Sequence, residues 1–379
     1  LRYNPQRSTN QMKRISSDIV IIGAGLSGLA LHHFLRDSSL EINLVEARPR
    51  MGGRIHTLRP EGGPPVEMGA TWLGAKHTRL AELLKSLGLE IFPQKLGKQA
   101  IYEWISTSPH QLVALPPNEE PSYRIRGGSG TLINTLAREV PQEALFLGEP
   151  VERITASLTG ITVTTQKRVF QARAVVSTLP PNLLYNKVVI EPELPEDLSG
   201  IMEKTHTWMG ESIKLGLRFQ DAFWRDQNSS GTVFSNVGPI TELYDHSSYE
   251  DDSHALKGFL NGTYASMSKT DREGMVLKQL RKYYGTLAED YLEYHEAVWA
   301  GEPYTYTPYA THVMPHQYNG HKIYRKPCLD GKLFIAGSET AEAFPGYMEG
   351  AVESALWTKT YLLTHFNKFR SDDGPDDSR

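Results

Sequence analysis

Three glycines and one acid carry the first chemical signal in the chain. Gly23-Ala24-Gly25-Leu26-Ser27-Gly28 follows the apolar, β-branched run from Asp18 to Ile22, and Leu26, Leu29, Ala30 and Phe34 then recur at helical spacing. The pattern predicts strand, tight turn and helix. In such a dinucleotide-binding turn Gly23 permits the bend, Gly25 lets a pyrophosphate approach the backbone, and Gly28 lets helix and strand pack closely, with the helix N-terminus facing the phosphates. Ser27 lies inside this turn. The next apolar strand, Ile42 to Val45, ends at Glu46, where the fingerprint places an acid for the ribose.

Beyond Glu46 come Ala47, Arg48, Pro49, Arg50, Met51, Gly52, Gly53 and Arg54. Arginines can clamp diphosphate oxygens with two parallel bonds, although charge spacing alone equally describes a solvated loop. Alternation by itself puts Ile213, Leu215, Leu217 and Phe219 on one strand face and Lys214 on the other, solvent-facing one. His312, His316 and His321 have loop spacing and no companion cysteines, so no metal site is expected.

The elements that must position these residues belong to an ordinary globular chain. Of 379 residues, 39% are hydrophobic and 22% charged, and 40 Lys plus Arg against 44 Asp plus Glu leave a net charge of -4. That balance speaks against nucleic acid as a partner, since polyphosphates are held by clustered cations. The single Cys328 excludes an internal disulfide and suggests a reducing, cytoplasmic setting. No run reaches the roughly 18 apolar residues of a membrane-spanning helix, so no membrane anchor is expected. The first fifteen residues read as a flexible leader without a visible secretory signal, and the start at Leu1 leaves a removed segment open. Asn228-Ser229-Ser230 and Asn261-Gly262-Thr263 match a glycosylation pattern too short to carry weight.

With its glycine pair and arginines after the ribose acid, the sequence resembles the flavin-containing amine oxidase family, which includes monoamine and polyamine oxidases. By that resemblance, Val66 to Gly74 passes beside a flavin, with Gly69, Ala70, Thr71 and Trp72 near the ring. Arg126-Gly127-Gly128-Ser129-Gly130-Thr131 leads a helix back to the flavin domain, and Val151 sits against the adenine. Val175 to Pro181 closes the dinucleotide half. Lys214, in a phrase followed by Phe219, Phe223 and Trp224, holds a water against flavin N5. The C-terminal phrase Leu333 to Thr340 delivers Gly337, Ser338 and Glu339 toward the ribityl and phosphate region. A helix starting near Tyr347 then brings Met348 and Ala351 to the flavin N1 side. Tyr304 and Tyr347 match the two facing tyrosines that orient a neutral amine, where the residues alone would make them core or rim tyrosines.

The resemblance implies an α/β, or α+β two-domain, fold: a Rossmann-like FAD-binding domain discontinuous in sequence (16–90, 125–203 and 297–370), a smaller mixed-sheet and helix substrate domain (91–124 and 204–296), and flexible tails at 1–15 and 371–379. It further implies FAD-dependent oxidation of an amine to an imine by hydride transfer to N5, hydrolysis to aldehyde or ketone, and reduction of O2 to hydrogen peroxide. A small-molecule amine is the expected partner, with a homodimer as an open option. Two departures stand out. Pro303 occupies the position of the flavin-attaching cysteine in monoamine oxidases, so FAD is expected to be non-covalent. Only 21 residues separate Trp104 from Arg126, where the family usually carries a helical roof; Tyr102, Trp104 and His110 are candidates to build the entrance instead. The alternatives are an L-amino acid oxidase of the same superfamily, needing Arg126 or Arg218 as a carboxylate clamp, and a non-catalytic flavin-binding interaction protein.

Overall fold

The computed structural model describes residues 12–225 and 230–372. Of the expected tails 1–15 and 371–379, residues 1–11 and 373–379 lie outside the described residues, as do Asn228 and Ser229 of the first glycosylation pattern. Two compact units divide the chain, the first drawn from Leu1–Gly53, Leu136–Trp208 and Tyr309–Arg379, the second from Arg54–Thr135 and Met209–Pro308. The segments 54–90, 125–135 and 297–308, expected in the flavin domain, therefore group with the second unit.

The first unit is built on five parallel strands in the order Leu145–Leu147, Ile42–Glu46, Ile19–Ile22, Ala174–Ser177, Leu333–Ile335. Ile19 to Ile22 are all buried, which is why this strand is an unbroken apolar run rather than an alternating one. A second sheet runs Lys13–Ser16, Arg168–Ala172, Ile161–Thr165, Val151–Ala156, Val189–Glu191. Its first strand takes in residues expected in the leader: Lys13 to Ser16 pair in parallel with Arg168 to Gln171. Val163 and Phe170 of this sheet share a core with Val20, Val45 and Ile335 of the other.

In the second unit a seven-stranded sheet runs Tyr291–Val298, Ile213–Phe219, His254–Leu260, Ile240–Asp245, Val233–Ser235, Gln99–Glu103, Gln111–Ala114. One face of its second strand packs Ile213, Leu215, Leu217 and Phe219 into a core with Val276, Leu280, Tyr283 and Tyr284 of the helix Lys269–Tyr284. That helix starts at Ser268, whose hydroxyl accepts from the Asp271 amide (3.2 Å), and stops at Gly285, held at φ 68°. Between Glu103 and Arg126 the chain makes the strand pair Gln99–Glu103 and Gln111–Ala114 and then Ser122–Ile125, with no helix. Trp104, 66% exposed, stands in the connecting loop with its ring 6.1 Å from Tyr102, while His110 meets Tyr283 edge-on. Among the described residues, no helix is long and apolar enough to cross a membrane.

Candidate active site

In the first unit the glycine turn has the form a dinucleotide needs. Gly23 sits at φ 104°, and a Cβ there would lie 2.5 Å from Thr178 Oγ1. Gly25 opens the helix Leu26–Leu35 without any side-chain cap, so its first amides are not consumed by the protein's own N-cap. A Cβ on Gly28 would strike the Gly23 carbonyl oxygen at 2.0 Å, so helix and strand touch here. Glu46 is buried, and its two oxygens accept the amides of Ala24 and Arg48, each at 2.9 Å. Each oxygen keeps a lone pair for a ribose hydroxyl. Ser27 Oγ is buried and finds no partner within the protein, an orphaned donor where phosphate oxygens would lie. These residues fit the ribose and diphosphate of FAD. Arg48 is buried rather than solvated; Ala47 follows Glu46 in the same turn; Gly52 and Gly53 pack against Gly25; and Val151 begins the half-buried strand Val151–Ala156.

The C-terminal phrase folds in the same unit. Gly337, at φ 109°, passes 3.0 Å (measured from an added Cβ) from the Thr178 carbonyl oxygen and donates its amide to Ser354 Oγ. Ser338 Oγ donates to the buried Glu339 carboxylate (2.9 Å). The long helix begins at Met348, and the Ala351 amide donates to the Tyr347 carbonyl (3.1 Å). The Tyr347 ring is parallel to His316 (8°, 6.2 Å between centroids), and His316 stacks at 3.9 Å on Trp208. His316, whose pKa burial lowers, is thus an aromatic-stack residue, and His321 accepts the Ile323 amide as a cap. Among the described residues no three His, Cys, Asp or Glu side chains gather to hold a metal.

The second unit holds Lys214, and here bare alternation fails. Lys214 is 5% exposed, because both faces of its strand are covered. The cover is the Val66–Trp72 segment, which crosses the sheet at Gly216: a Cβ there would meet Val66 Cγ1 at 2.3 Å and Met68 Cε at 3.0 Å. Trp299 Nε1 pins the segment by donating to the Met68 carbonyl (2.7 Å), and the Ala70 amide donates to the Arg54 carbonyl (3.0 Å) beside Gly69. Lys214 Nζ lies 3.6 Å from the Phe259 ring centroid and 5.9 Å from that of Trp72. Burial lowers its pKa to about 7, against the opposing pull of Glu242 and Glu67. Phe219, Phe223 and Trp224 do not surround it: Phe219 points from the opposite strand face, and all three rings pack edge-to-face in the core on the helix side. Tyr304 belongs to this unit and Tyr347 to the other; they are 39% and 38% exposed, as rim residues would be. Arg54, expected with the cradle, also falls in this unit.

Sequence reasoning missed Lys257. Fully buried, it donates to Thr71 Oγ1, and its Nζ lies 4.1 Å from the Trp72 centroid. Its only trace was a lysine inside the apolar run Ala255 to Leu260.

Residues 106–358 match the family described as flavin containing amine oxidoreductase, and residues 21–87 match an NAD(P)-binding Rossmann-like domain. The chain belongs to the flavin-containing amine oxidoreductase family. As a member it is an FAD-dependent oxidoreductase acting on amines, with the α/β two-domain fold. Similar curated relatives include amine oxidase [flavin-containing] A of Bos taurus, 24% identical over 94% of this chain and 86% of that one, and amine oxidase [flavin-containing] B of Homo sapiens, 24% identical over 94% and 88%. Among solved structures, a putrescine oxidase bound to putrescine aligns with this amine oxidoreductase at TM-score 0.80 and 22% identity, over 93% of this chain and 100% of that one. Cyclohexylamine oxidase from Brevibacterium oxydans aligns at TM-score 0.81 and 22% identity, over 93% and 99%.

Proposed function

We propose that this amine oxidoreductase converts an amine without a carboxylate to its imine, which water hydrolyses to an aldehyde or ketone, while O2 is reduced to hydrogen peroxide. FAD, when bound, supplies the two-electron acceptor at its N5. The remaining work falls to side chains. The observation that carries the reading is Lys214: a buried amine over an aromatic ring, with a pKa lowered to about 7, has both a lone pair and N–H donors near neutral pH. It can hold a water and exchange a proton with it, serving oxygen reactivity or imine hydrolysis. Tyr304 and Tyr347 orient the neutral amine, and orientation is what brings the reacting carbon to the roughly 3–3.5 Å that transfer requires.

Both candidate carboxylate clamps are paired already. Arg126 donates to Glu90 and Glu250 (2.7 Å each), and Arg218 donates to Glu293 and the Gly62 carbonyl. This favours simple amines over amino acids. Non-covalent FAD is supported by Pro303 before Tyr304 and by Cys328, whose thiol burial pushes up to about 11, far from the thiolate a covalent link needs. The single cysteine supports a cytoplasmic location, and light scattering separates monomer from homodimer.

Anaerobic stopped-flow absorbance, after acid release of the flavin, tests the whole reading with aromatic monoamines, polyamines and L-amino acids. Bleaching by carboxylate-free amines is expected. Bleaching by amino acids alone overturns the substrate class, and no bleaching with any of them overturns catalysis. Lys214→Met is expected to slow oxidative turnover while FAD stays bound, and unchanged reoxidation removes the role given to Lys214.

A further inference from the structure

We propose that Lys257 is a positioning residue for this reaction, forming with Lys214 a buried two-lysine pair that takes up one proton between them. The inference rests on the role given to Lys214 above. The two residues come from adjacent antiparallel strands, Lys214 opposite Phe259 and Lys257 opposite Gly216, so both side chains leave the same face of the sheet. Because residue 216 is glycine, the covering Val66–Trp72 segment closes over that face, and both amines end against the one indole of Trp72. Trp72 is fixed in turn: its Nε1 donates to Gln94 Oε1 (2.8 Å), and Tyr244 meets it edge-on at 5.4 Å.

Two ammonium groups in one enclosure, with little water to screen them, repel strongly. The surrounding charges are mixed. Glu67, on the covering segment, accepts from the Ser129 amide and the Thr57 hydroxyl; Glu242 on the strand Ile240–Asp245 accepts from Tyr244. Glu242 and, when ionised, Glu67 draw a proton toward the lysines, although burial raises the pKa of Glu67 itself, while the buried Arg124 guanidinium, which donates to the His246 and Ser247 carbonyls, pushes it away. His246 is buried and its pKa lowered well below the usual value, so it adds no charge near neutral pH. On the far strand Tyr291–Val298, Glu293 pairs with Arg218 and meets His295 at 2.6 Å, so the Arg218 and Glu293 charges answer one another. Burial lowers both lysines, and the repulsion of Lys214 lowers Lys257 further. Interacting groups of this kind titrate as a pair, not singly. The pair's one proton therefore sits on Lys214 while Lys257 stays neutral beside it, and through Thr71 and Trp72 Lys257 holds the segment lining the site.

The test is the titration of ε-13C-labelled lysine by NMR, in the apo and FAD-bound protein, with Lys257→Met and Lys214→Met assigning the two signals. Removing Lys214 is expected to raise the Lys257 midpoint by about one pH unit, because the surviving amine then takes the pair's proton without a charged neighbour. Lys257→Met is expected to leave the Lys214 midpoint near neutral pH, since its partner is already neutral there, and to slow flavin reoxidation by releasing the Thr71–Trp72 segment, with the pH profile unmoved. An unmoved Lys257 midpoint in Lys214→Met overturns the pair, whatever the kinetics. A shifted Lys257 midpoint with reoxidation indifferent to both substitutions overturns instead the role of Lys214, and takes Lys257 out of the reaction.

Discussion

Two alanine substitutions three residues apart should separate cofactor binding from folding: Gly25→Ala and Gly28→Ala. Gly25 has φ −76° and ψ −176°, a region open to alanine, and its added Cβ would lie 3.9 Å from Gly52 O and Gly53 Cα, ordinary contact distances. The apo chain should therefore keep its stability to within about 0.5 kcal/mol, as expected of a substitution without steric conflict. The methyl group would, however, stand on the surface the diphosphate must approach, and a misfit of about 1–3 kcal/mol corresponds to a loss of roughly 5- to 150-fold in FAD affinity. Gly28 behaves oppositely. Its Cβ would lie 2.0 Å from the Gly23 carbonyl oxygen, so helix and strand must part by more than an ångström. Overpacking of that kind costs about 3 kcal/mol, or roughly 6–12 °C in the Tm of a unit this size. Differential scanning fluorimetry of apo protein, with and without FAD, reads both effects, because a ligand stabilises only in proportion to its occupancy. Gly25→Ala should leave the apo Tm unchanged and shrink the FAD-induced rise; Gly28→Ala should lower the apo Tm itself. Wild-type FAD affinity in Gly25→Ala would refute the assignment of this turn to the diphosphate.

Three further outcomes follow from charged side chains. A lysine whose folded pKa is lowered from 10.5 to about 7 binds fewer protons folded than unfolded between those values, so its burial costs nothing above 10.5 and its full amount below 7. Lys214→Met should accordingly stabilise the apo protein at pH 7, by at most about 5 kcal/mol, with the gain fading as pH rises toward 10.5 in urea titrations. Asp245 is buried, and although burial raises its pKa, Arg225 (2.7 Å), Trp224 (3.0 Å) and the Ser247 amide (2.9 Å) outweigh that and hold it below the usual value. Asp245→Ala should destabilise by about 3–5 kcal/mol at pH 7, and the deficit should narrow as pH falls below the ordinary aspartate range and the wild-type carboxylate is protonated. Arg126→Gln should leave kcat/KM for carboxylate-free amines unaltered; a selective loss toward amino acids would restore the carboxylate-clamp alternative.

Legibility differed between the two parts of the candidate site for a physical reason. The nucleotide cradle is made of residues close in sequence: Gly23, Gly25 and Gly28 act through their own backbone, and Glu46 reaches back to the Ala24 amide across a single strand–helix–strand unit. Such geometry is dictated by steric freedom and local periodicity, both visible in a string of letters. The C-terminal phrase from Leu333 to Ala355 is local only in part: the Gly337 amide meets Ser354 within it, but its strand pairs with Val175–Ser177 and Gly337 packs against Thr178. By contrast, the hairpin Gln99–Ala114 and its place in the sheet were not legible, since nothing local specifies that Gln99–Glu103 pairs with Val233–Ser235.

What the chain determined by itself was therefore the parallel-sheet cradle, its cofactor class and the family to which it belongs. Only tertiary structure decided the state of Lys214. Alternation along Ile213 to Phe219 assigns a face, but whether that face meets water depends on a segment some 150 residues earlier, Val66 to Trp72, passing over Gly216. The same passage buries Lys257 from the next strand against Thr71 and Trp72. Desolvation and charge repulsion act through space rather than along the chain, so a lysine that reads as an exposed strand residue becomes, once covered, an amine able to lose its proton near neutral pH.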